Sequence, residues 1–322
     1  MKIKSKYIAL ILGAVLITSS LEGCSDKKNE QNQNNIKTEQ SIQTTKDDFT
    51  YENNEYLTSV SWLSKNLKNK DILILDTRSE DDYKKGHIPG AINVAWQGFC
   101  KMEGKAGDKG WGTLLDKDML SKIYSDIGID KNKKVVIYAQ KNGWGEDGRL
   151  EWMFKETGID ARMLNGGMDL WKSEGYEISK DIVNPQKTKF EIKELKNDIN
   201  IDTNTLKKNM SDAKIIDTRE KEEYDGATKY GEARGGHLPK SINIPFNQVY
   251  NEDGTIKSKE ELEKLFKKSG IKKDDNIVTY CTAGIRSGHM AMILKSIGYD
   301  KVKNYDASYY EWAGDKNNSV EK

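Results

Sequence analysis

Cysteine is scarce in this chain: Cys24, Cys100 and Cys281 are the only three in 322 residues. So few thiols cannot build a disulfide framework, even in an oxidising compartment. Histidine is as rare, with His87, His237 and His289 scattered and a single cysteine near one of them. That pattern offers no zinc-ligand spacing. Neither sign of charge is in excess, since 52 lysines and arginines meet 51 aspartates and glutamates. The balance gives no electrostatic footprint for nucleic acid or an anionic membrane surface, and the many lysines read as solvated surface. The apolar run at residues 7–20, YIALILGAVLITSS, is too short for a comfortable membrane span. What is present is a chain 36% hydrophobic and 32% charged, long enough for two domains of ordinary size.

Lys2, Lys4 and Lys6 precede that apolar run, and LEGC follows it at residues 21–24. The order resembles a bacterial lipobox, in which cleavage leaves Cys24 at the mature N-terminus for lipid attachment. The expectation is a signal peptide over 1–23 and an extracytoplasmic protein held to the bacterial cell membrane by the lipid on Cys24 alone. Glu22 is unusual inside such a box, and an uncleaved anchor or ordinary secretion are the alternatives. Residues 24–52 carry almost no large apolar side chain, so they should form a disordered tether.

The rest of the chain repeats itself. DILILDTRSEDDYKKGHIPGAINV begins at residue 71, and KIIDTREKEEYDGATKYGEARGGHLPKSINI begins at residue 214. Asp76 and Asp217 are 141 residues apart, as are Trp171 and Trp312, and Tyr138 and Tyr280 are 142 apart. The spacing of His87 and His237 widens to 150, because the second copy carries nine extra residues around DGATKYGEA. Ordered matches at one offset mean two homologous domains, placed at 53–180 and 193–322. The linker lies at 181–192, where Pro185 interrupts any regular element. In the second copy, apolar strands at 214–217, 242–244, 277–280 and 302–305 alternate with amphipathic helices at 259–270 and 287–298. Such alternation predicts an α/β fold, each domain a mainly parallel sheet flanked by helices on both faces.

Ligands gather outside the carboxyl ends of strands in sheets of this kind, and Cys281 sits where the strand at 277–280 stops. The segment CTAGIR, from Cys281 to Arg286, can turn successive backbone N–H groups toward the sulfur. Those dipoles and the following helix N-terminus would stabilise a thiolate, lower its pKa and make it nucleophilic at neutral pH. Gly284 relieves the tight curvature and Arg286 adds positive charge. The plain alternative is a small buried apolar residue, as many lone cysteines are; the loop and the strand-end position favour function.

With these residues in view, the chain resembles the tandem-domain rhodanese sulfurtransferases over roughly residues 55–315. The resemblance rests on LDTRSEDDYKKGHIPGAINV, LNGGMDLWKSEG, RGGHLPKSINIPF, YCTAGIRSG and NYDASYYEW. It implies two rhodanese-like domains, the first inactive, because Ala139 stands where the second has Cys281 and its loop is two residues longer. It also implies a double displacement in which Cys281 takes a sulfane sulfur from a small anionic donor. A small thiol, cyanide or a protein thiol then removes it, with neither metal nor organic cofactor. CTAGIR matches neither the lysine of animal thiosulfate enzymes nor the Cys-Gly-(Ser/Thr)-Gly-Val-Thr of mercaptopyruvate enzymes. Its form is commoner among bacterial thiosulfate-type members, so thiosulfate is favoured over 3-mercaptopyruvate.

The resemblance points to Thr282, Ala283, Gly284, Ile285 and Arg286 as the substrate loop, with Arg234 and Arg219 as further cations for an anionic donor. Arg219 has a competing role, since an arginine after a strand-end aspartate often locks the turn. Four residues separate Cys281 from Arg286, where related cysteine phosphatases have five, so the cradle is small for a phosphoryl group. A carrier that holds the persulfide without turnover would share almost the same sequence. His87 and His237 recur in both copies, including the one without a nucleophile, which suggests turn contacts rather than general base work. His289 should be helix surface or packing. Cys100, in the loop WQGFCKMEGKAGDKGWG, could resolve the persulfide if that loop reached the cleft.

Overall fold

The structure, a computed structural model, describes residues 49, 50 and 53–322. The expected signal segment, the lipidation site Cys24 and the tether, save for Phe49 and Thr50, lie outside the described residues. The first domain runs β1 (Leu57–Ser59), α1 (Val60–Asn66), β2 (Ile72–Asp76), α2 (Glu80–Lys85), β3 (Ile92–Asn93), α3 (Lys117–Asp126), β4 (Lys134–Tyr138), α4 (Glu146–Glu156), β5 (Ala161–Asn165) and α5 (Gly167–Ser173). The second repeats the order with β6 (Asn200–Ile201), α6 (Thr203–Asn209), β7 (Ala213–Asp217), α7 (Lys221–Tyr224), β8 (Ile242–Asn243), α8 (Lys259–Lys268), β9 (Asn276–Tyr280), α9 (Ile285–Ser296), β10 (Val302–Tyr305) and α10 (Ser308–Gly314). Both sheets are parallel throughout, ordered β1-β5-β4-β2-β3 and β6-β10-β9-β7-β8.

Alternation along each strand explains the layers. Leu75, Val135 and Ile137 enter one core, while Ile74, Val136 and Tyr138 enter another on the opposite face, where α1 and α5 supply Leu63 and Trp171. The second sheet divides likewise: Ile216 and Ile277 face one way, and Ile215, Val278 and Tyr280 the other. The first core is continuous between the domains. It holds Leu150 and Phe154 of α4 beside Met290, Met292 and Ile293 of α9. A helix apolar on all sides must be enclosed on all sides, and α9 keeps even Arg286, Ser287, Gly288 and His289 buried. Where it crosses α4, each helix places a glycine against the other. A Cβ on Gly148 would stand 2.6 Å from the His289 Cα, and one on Gly288 would stand 3.4 Å from the Arg149 Cα.

The linker is strapped to the first domain instead of hanging between the two. Thr188 donates its N–H to Ser125 O (2.9 Å), and Ile192 N–H reaches Ser121 Oγ (2.9 Å). Among the described residues no helix is long and apolar enough to cross a membrane.

Candidate active site

The Asp-Thr-Arg turns after β2 and β7 are built alike. Asp217 accepts from Arg219 Nε (2.9 Å) and Nη2 (2.6 Å), and Arg219 Nη2 also donates to Gly236 O (2.8 Å). Tyr280 Oη donates to the same carboxylate at 2.5 Å. Arg78, Asp76, Gly86 and Tyr138 repeat this network where there is no cysteine. Arg219 therefore locks a turn and does not line the cavity at Cys281. Arg234 is placed elsewhere too. Its guanidinium donates to the carbonyls of Trp312, Ala313, Asp315 and Asn318 at 2.8–3.2 Å, which satisfies the orphan acceptors at the end of α10. Neither guanidinium lines the cavity at Cys281: Arg234 is taken up by carbonyls, while Arg219 is held by Asp217 and Gly236 O, with its Nη1 left without a hydrogen-bond partner among the described residues.

Around Cys281 the expected loop does assemble. Cys281 follows β9 directly and is 1% exposed. Gly284 donates its N–H to Cys281 Sγ at 3.1 Å, and the Cys281 N–H is held by Ser308 Oγ at 3.2 Å. Gly284 has φ +82°, and a Cβ there would lie 2.5 Å from Asp306 O, so only glycine fits the curve. Ser308 holds φ +55°, a left-handed conformation unusual for serine, at the residue that fixes the nucleophile. Burial pushes the Cys281 thiol up. The Arg286 charge, with backbone N–H groups of the loop turned toward the sulfur, outweighs it, and the net shift is downward. Cys100 goes the other way: burial pushes it to about 11.

Arg286 is neither free nor remote. Its Nη1 and Nη2 bind the Glu223 carboxylate at 2.6 and 2.8 Å, and Nη2 also reaches Thr282 Oγ1 at 2.7 Å. Burial raises the Glu223 pKa, but Arg286 and Thr282 hold it below the usual carboxylate range. The guanidinium lies 4.9 Å from the ring centre of Trp144 and 5.9 Å from that of Tyr230.

Above the thiol opens a cavity of about 340 Å³, walled by both domains. Cys281, Thr282, Ala283, Ile285, Arg286, Tyr230 and Tyr310 come from the second domain. Trp96, Gln97, Trp111, Trp144 and Glu146 come from the first. Gly284 turns its N–H to the sulfur without lining the space. A larger groove of about 670 Å³ runs along the same seam past Lys101, Glu156 and Thr203, but it does not touch the nucleophile.

A second interdomain tie lies under the loop. Arg149 of α4, fully buried, donates from Nη1 to Gly284 O (3.0 Å) and from Nη2 to Gly112 O (3.1 Å). Its Nη2 also pairs with Asp306 at 2.5 Å. Cys100 Sγ is 3.7 Å from that nitrogen, inside the seam and outside the cavity at Cys281. His87 and His237 stack on Tyr83 and Tyr224 and bond their carbonyls at 2.9 Å, as turn contacts do. His289 is packed between the domains against Tyr250 Oη (2.7 Å). Among the described residues no cluster of His, Cys, Asp and Glu is close enough to hold a metal ion.

Sequence reasoning passed over Glu223, Arg149 and the aromatic wall. Tyr230 had a visible signal, since it sits in the nine-residue insertion carried only by the copy with the thiol. Trp144 sits in the longer loop of the first copy and Glu146 opens α4 just after it, and both now face Cys281 of the second domain.

The family described as Rhodanese-like domain matches twice, over residues 59–174 and 202–315. The sulfur carrier protein TtuD of Thermus thermophilus is 32% identical over 278 residues, 81% of this chain and 95% of that protein. A protein of Saccharopolyspora erythraea named "Putative thiosulfate sulfurtransferase" is 30% identical over 269 residues, 80% of this chain and 93% of that one. Among solved structures, the anaerobic ergothioneine biosynthesis enzyme of Chlorobium limicola, in complex with its natural substrate trimethyl histidine, superposes with a TM-score of 0.75. It is 22% identical and covers 83% of this chain and 70% of that one, a likeness of fold.

Proposed function

The chain belongs to the rhodanese family of sulfurtransferases, and from that premise we propose that it moves a sulfane sulfur from thiosulfate to a thiophilic acceptor through a persulfide on Cys281. The observation that carries this reading is the Gly284 N–H set 3.1 Å from a strand-end sulfur whose pKa is lowered. The Cys281 thiolate attacks the outer sulfur of thiosulfate, a new S–S bond forms at Sγ, and sulfite leaves with the electron pair of the broken bond. The nest that stabilises the thiolate then faces the persulfide anion. A nucleophilic acceptor bonds to the outer sulfur, and the Cys281 thiolate is the leaving group. Ala139 has no atom for this chemistry, so the first domain serves as wall and support.

The name of the Thermus relative favours a second reading, a carrier that holds the persulfide for one partner without multiple turnover. Intact mass after thiosulfate and then cyanide separates the two. A gain of about 32 Da that requires Cys281, and its loss with repeated thiocyanate formation, support the enzyme. A single discharge without recycling supports the carrier, and no adduct on folded protein refutes both. A gain with mercaptopyruvate but not thiosulfate keeps the mechanism and changes the donor.

Anchoring through a lipid on Cys24 is part of the same proposal and rests on residues 1–24 of the sequence. Cys24→Ser is expected to move the protein out of the membrane fraction, and retention there would refute lipid attachment at that residue.

A further inference from the structure

The cavity over Cys281 is shaped for more than an inorganic anion. Its volume of about 340 Å³ lies at the lower end of small-molecule sites, roughly 300–1,000 Å³. Five of its lining side chains are aromatic: Trp96, Trp111, Trp144, Tyr230 and Tyr310. Two of the contacts among them are edge-to-face, Trp111 on Tyr310 at 5.4 Å and Trp144 on Tyr230 at 4.9 Å. The wall is tied to the catalytic loop, because the Tyr310 N–H reaches Thr282 O (3.0 Å) and its hydroxyl reaches Tyr230 O (2.7 Å).

Charge narrows the class of occupant. Among the described residues Arg286 is the one cationic side chain in the lining, and Glu223 already takes both arms of its guanidinium. Glu146 adds a carboxylate that accepts the Trp144 N–H (2.8 Å) and has no ion-pair partner among the described residues. Burial pushes its pKa up, a cost that an incoming cation would relieve. The persulfide anion keeps the single negative charge of the thiolate it replaces, so an incoming cation meets opposite charge at the sulfur as well as at Glu146. Aromatic faces attract cations through the ring quadrupole. Arg286 occupies those of Trp144 and Tyr230, while Trp111 and Tyr310 have no side-chain cation above them among the described residues.

We propose that the sulfur acceptor is an organic cation, a small thiol carrying a positively charged group held by the Trp111–Tyr310 wall and Glu146. The assignment rests on the persulfide reading and specifies its second half. The acceptor thiolate bonds to the outer sulfur, the bond to Cys281 Sγ breaks, and its electron pair returns to the Cys281 thiolate. The acceptor leaves as a persulfide, with no external oxidant or reductant.

The test uses two thiols of equal chain length, thiocholine with a quaternary ammonium and 2-mercaptoethanesulfonate with an anion. Discharge rates from preloaded enzyme are measured for both and divided by their rates with a free low-molecular-mass persulfide, which removes intrinsic thiol reactivity. The corrected ratio is expected to favour thiocholine roughly tenfold. It should fall toward one in Trp111→Leu and in Glu146→Gln, and a ratio is insensitive to changes that slow both thiols alike. A wild-type ratio near one, a preference for the sulfonate, or a ratio that neither substitution moves overturns the assignment while leaving the persulfide intact. Failure of Cys281 to gain sulfur at all overturns both readings.

Discussion

Removing Arg149 tests whether the first domain holds the Cys281 loop in place. Arg149→Met strips the buried Asp306 carboxylate of its 2.5 Å partner, leaves the Gly112 carbonyl without the Arg149 donor, and takes one of three donors from the Gly284 carbonyl, which keeps the Gly288 N–H and Asn304 Nδ2. Breaking a buried pair by deleting one member costs about 3–5 kcal/mol. Asp306 keeps the Leu114 N–H at 2.8 Å, so the lower end applies, about 3 kcal/mol. Gly284 also donates to the Cys281 sulfur, and misplacing its peptide by an ångström is worth on the order of 10² in rate. Urea titration followed by tryptophan fluorescence reads the stability, and rapid-quench mass spectrometry reads persulfide formation. Adding Asp306→Asn to Arg149→Met should restore much of the stability lost, because the unpaired charge has gone; a coupling of about 2 kcal/mol is expected. Loss of less than about 1 kcal/mol in the single variant, or strict additivity in the double, would refute the strut.

The remaining predictions concern the loop and the helix crossing. In native protein at neutral pH, iodoacetamide should label Cys281 and spare Cys100, whose thiol is pushed up to about 11; equal labelling of the two peptides would contradict this. Because the Arg286 charge lowers the Cys281 pKa, Arg286→Met should move the alkylation profile of Cys281 to higher pH. An unmoved profile would mean that backbone dipoles alone set it. Gly284→Ala places a Cβ at +82° and 2.5 Å from Asp306 O, so persulfide formation should slow tenfold or more, on the order of the effect of a displaced catalytic group. Gly148→Ala, with its Cβ 2.6 Å from the His289 Cα, should cost about 1–3 kcal/mol by overpacking. Gly288→Ala at 3.4 Å should be nearly neutral, and equal urea midpoints for the two variants would refute the asymmetry of the crossing.

The layers were legible in the sequence because period-2 strands and 3.6-period helices bury what their patterns expose. The strand expected at 277–280 is β9, and the helix at 259–270 is α8. Cys281 stood out because a polar, curved segment followed a continuous apolar run. The arginines were harder, since a guanidinium's partner is set by tertiary contact. Nothing in the spacing of Arg234 reveals that the end of α10 is where its four hydrogen bonds are made. Glu223 was hidden for the same reason, on α7 and far in sequence from Arg286. The aromatic wall draws residues from loops of both domains, and only the insertion around Tyr230 left a trace at the level of sequence.

The two copies also explain why a domain without a nucleophile is retained. Gly148 and Gly288 occupy corresponding places in α4 and α9, each facing the residue that follows the other. That residue is Arg149 on one helix and His289 on the other, so each helix presents one long side chain to its partner's strand-end loop. Arg149 reaches Gly284 O and Asp306, and thereby fastens the loop that carries Cys281. In the opposite direction, His289, its pKa pushed down to about 3 by burial, packs with Tyr250 over the loop at Ala139. Only a void of about 20 Å³ remains there. The pseudo-symmetric pair thus has one strand-end loop fastened from below by a cationic strut and one covered by a neutral ring. Exchanging a single cysteine for alanine would not suffice to convert either into the other, so Ala139→Cys should remain without persulfide formation while His289 and Tyr250 close that loop.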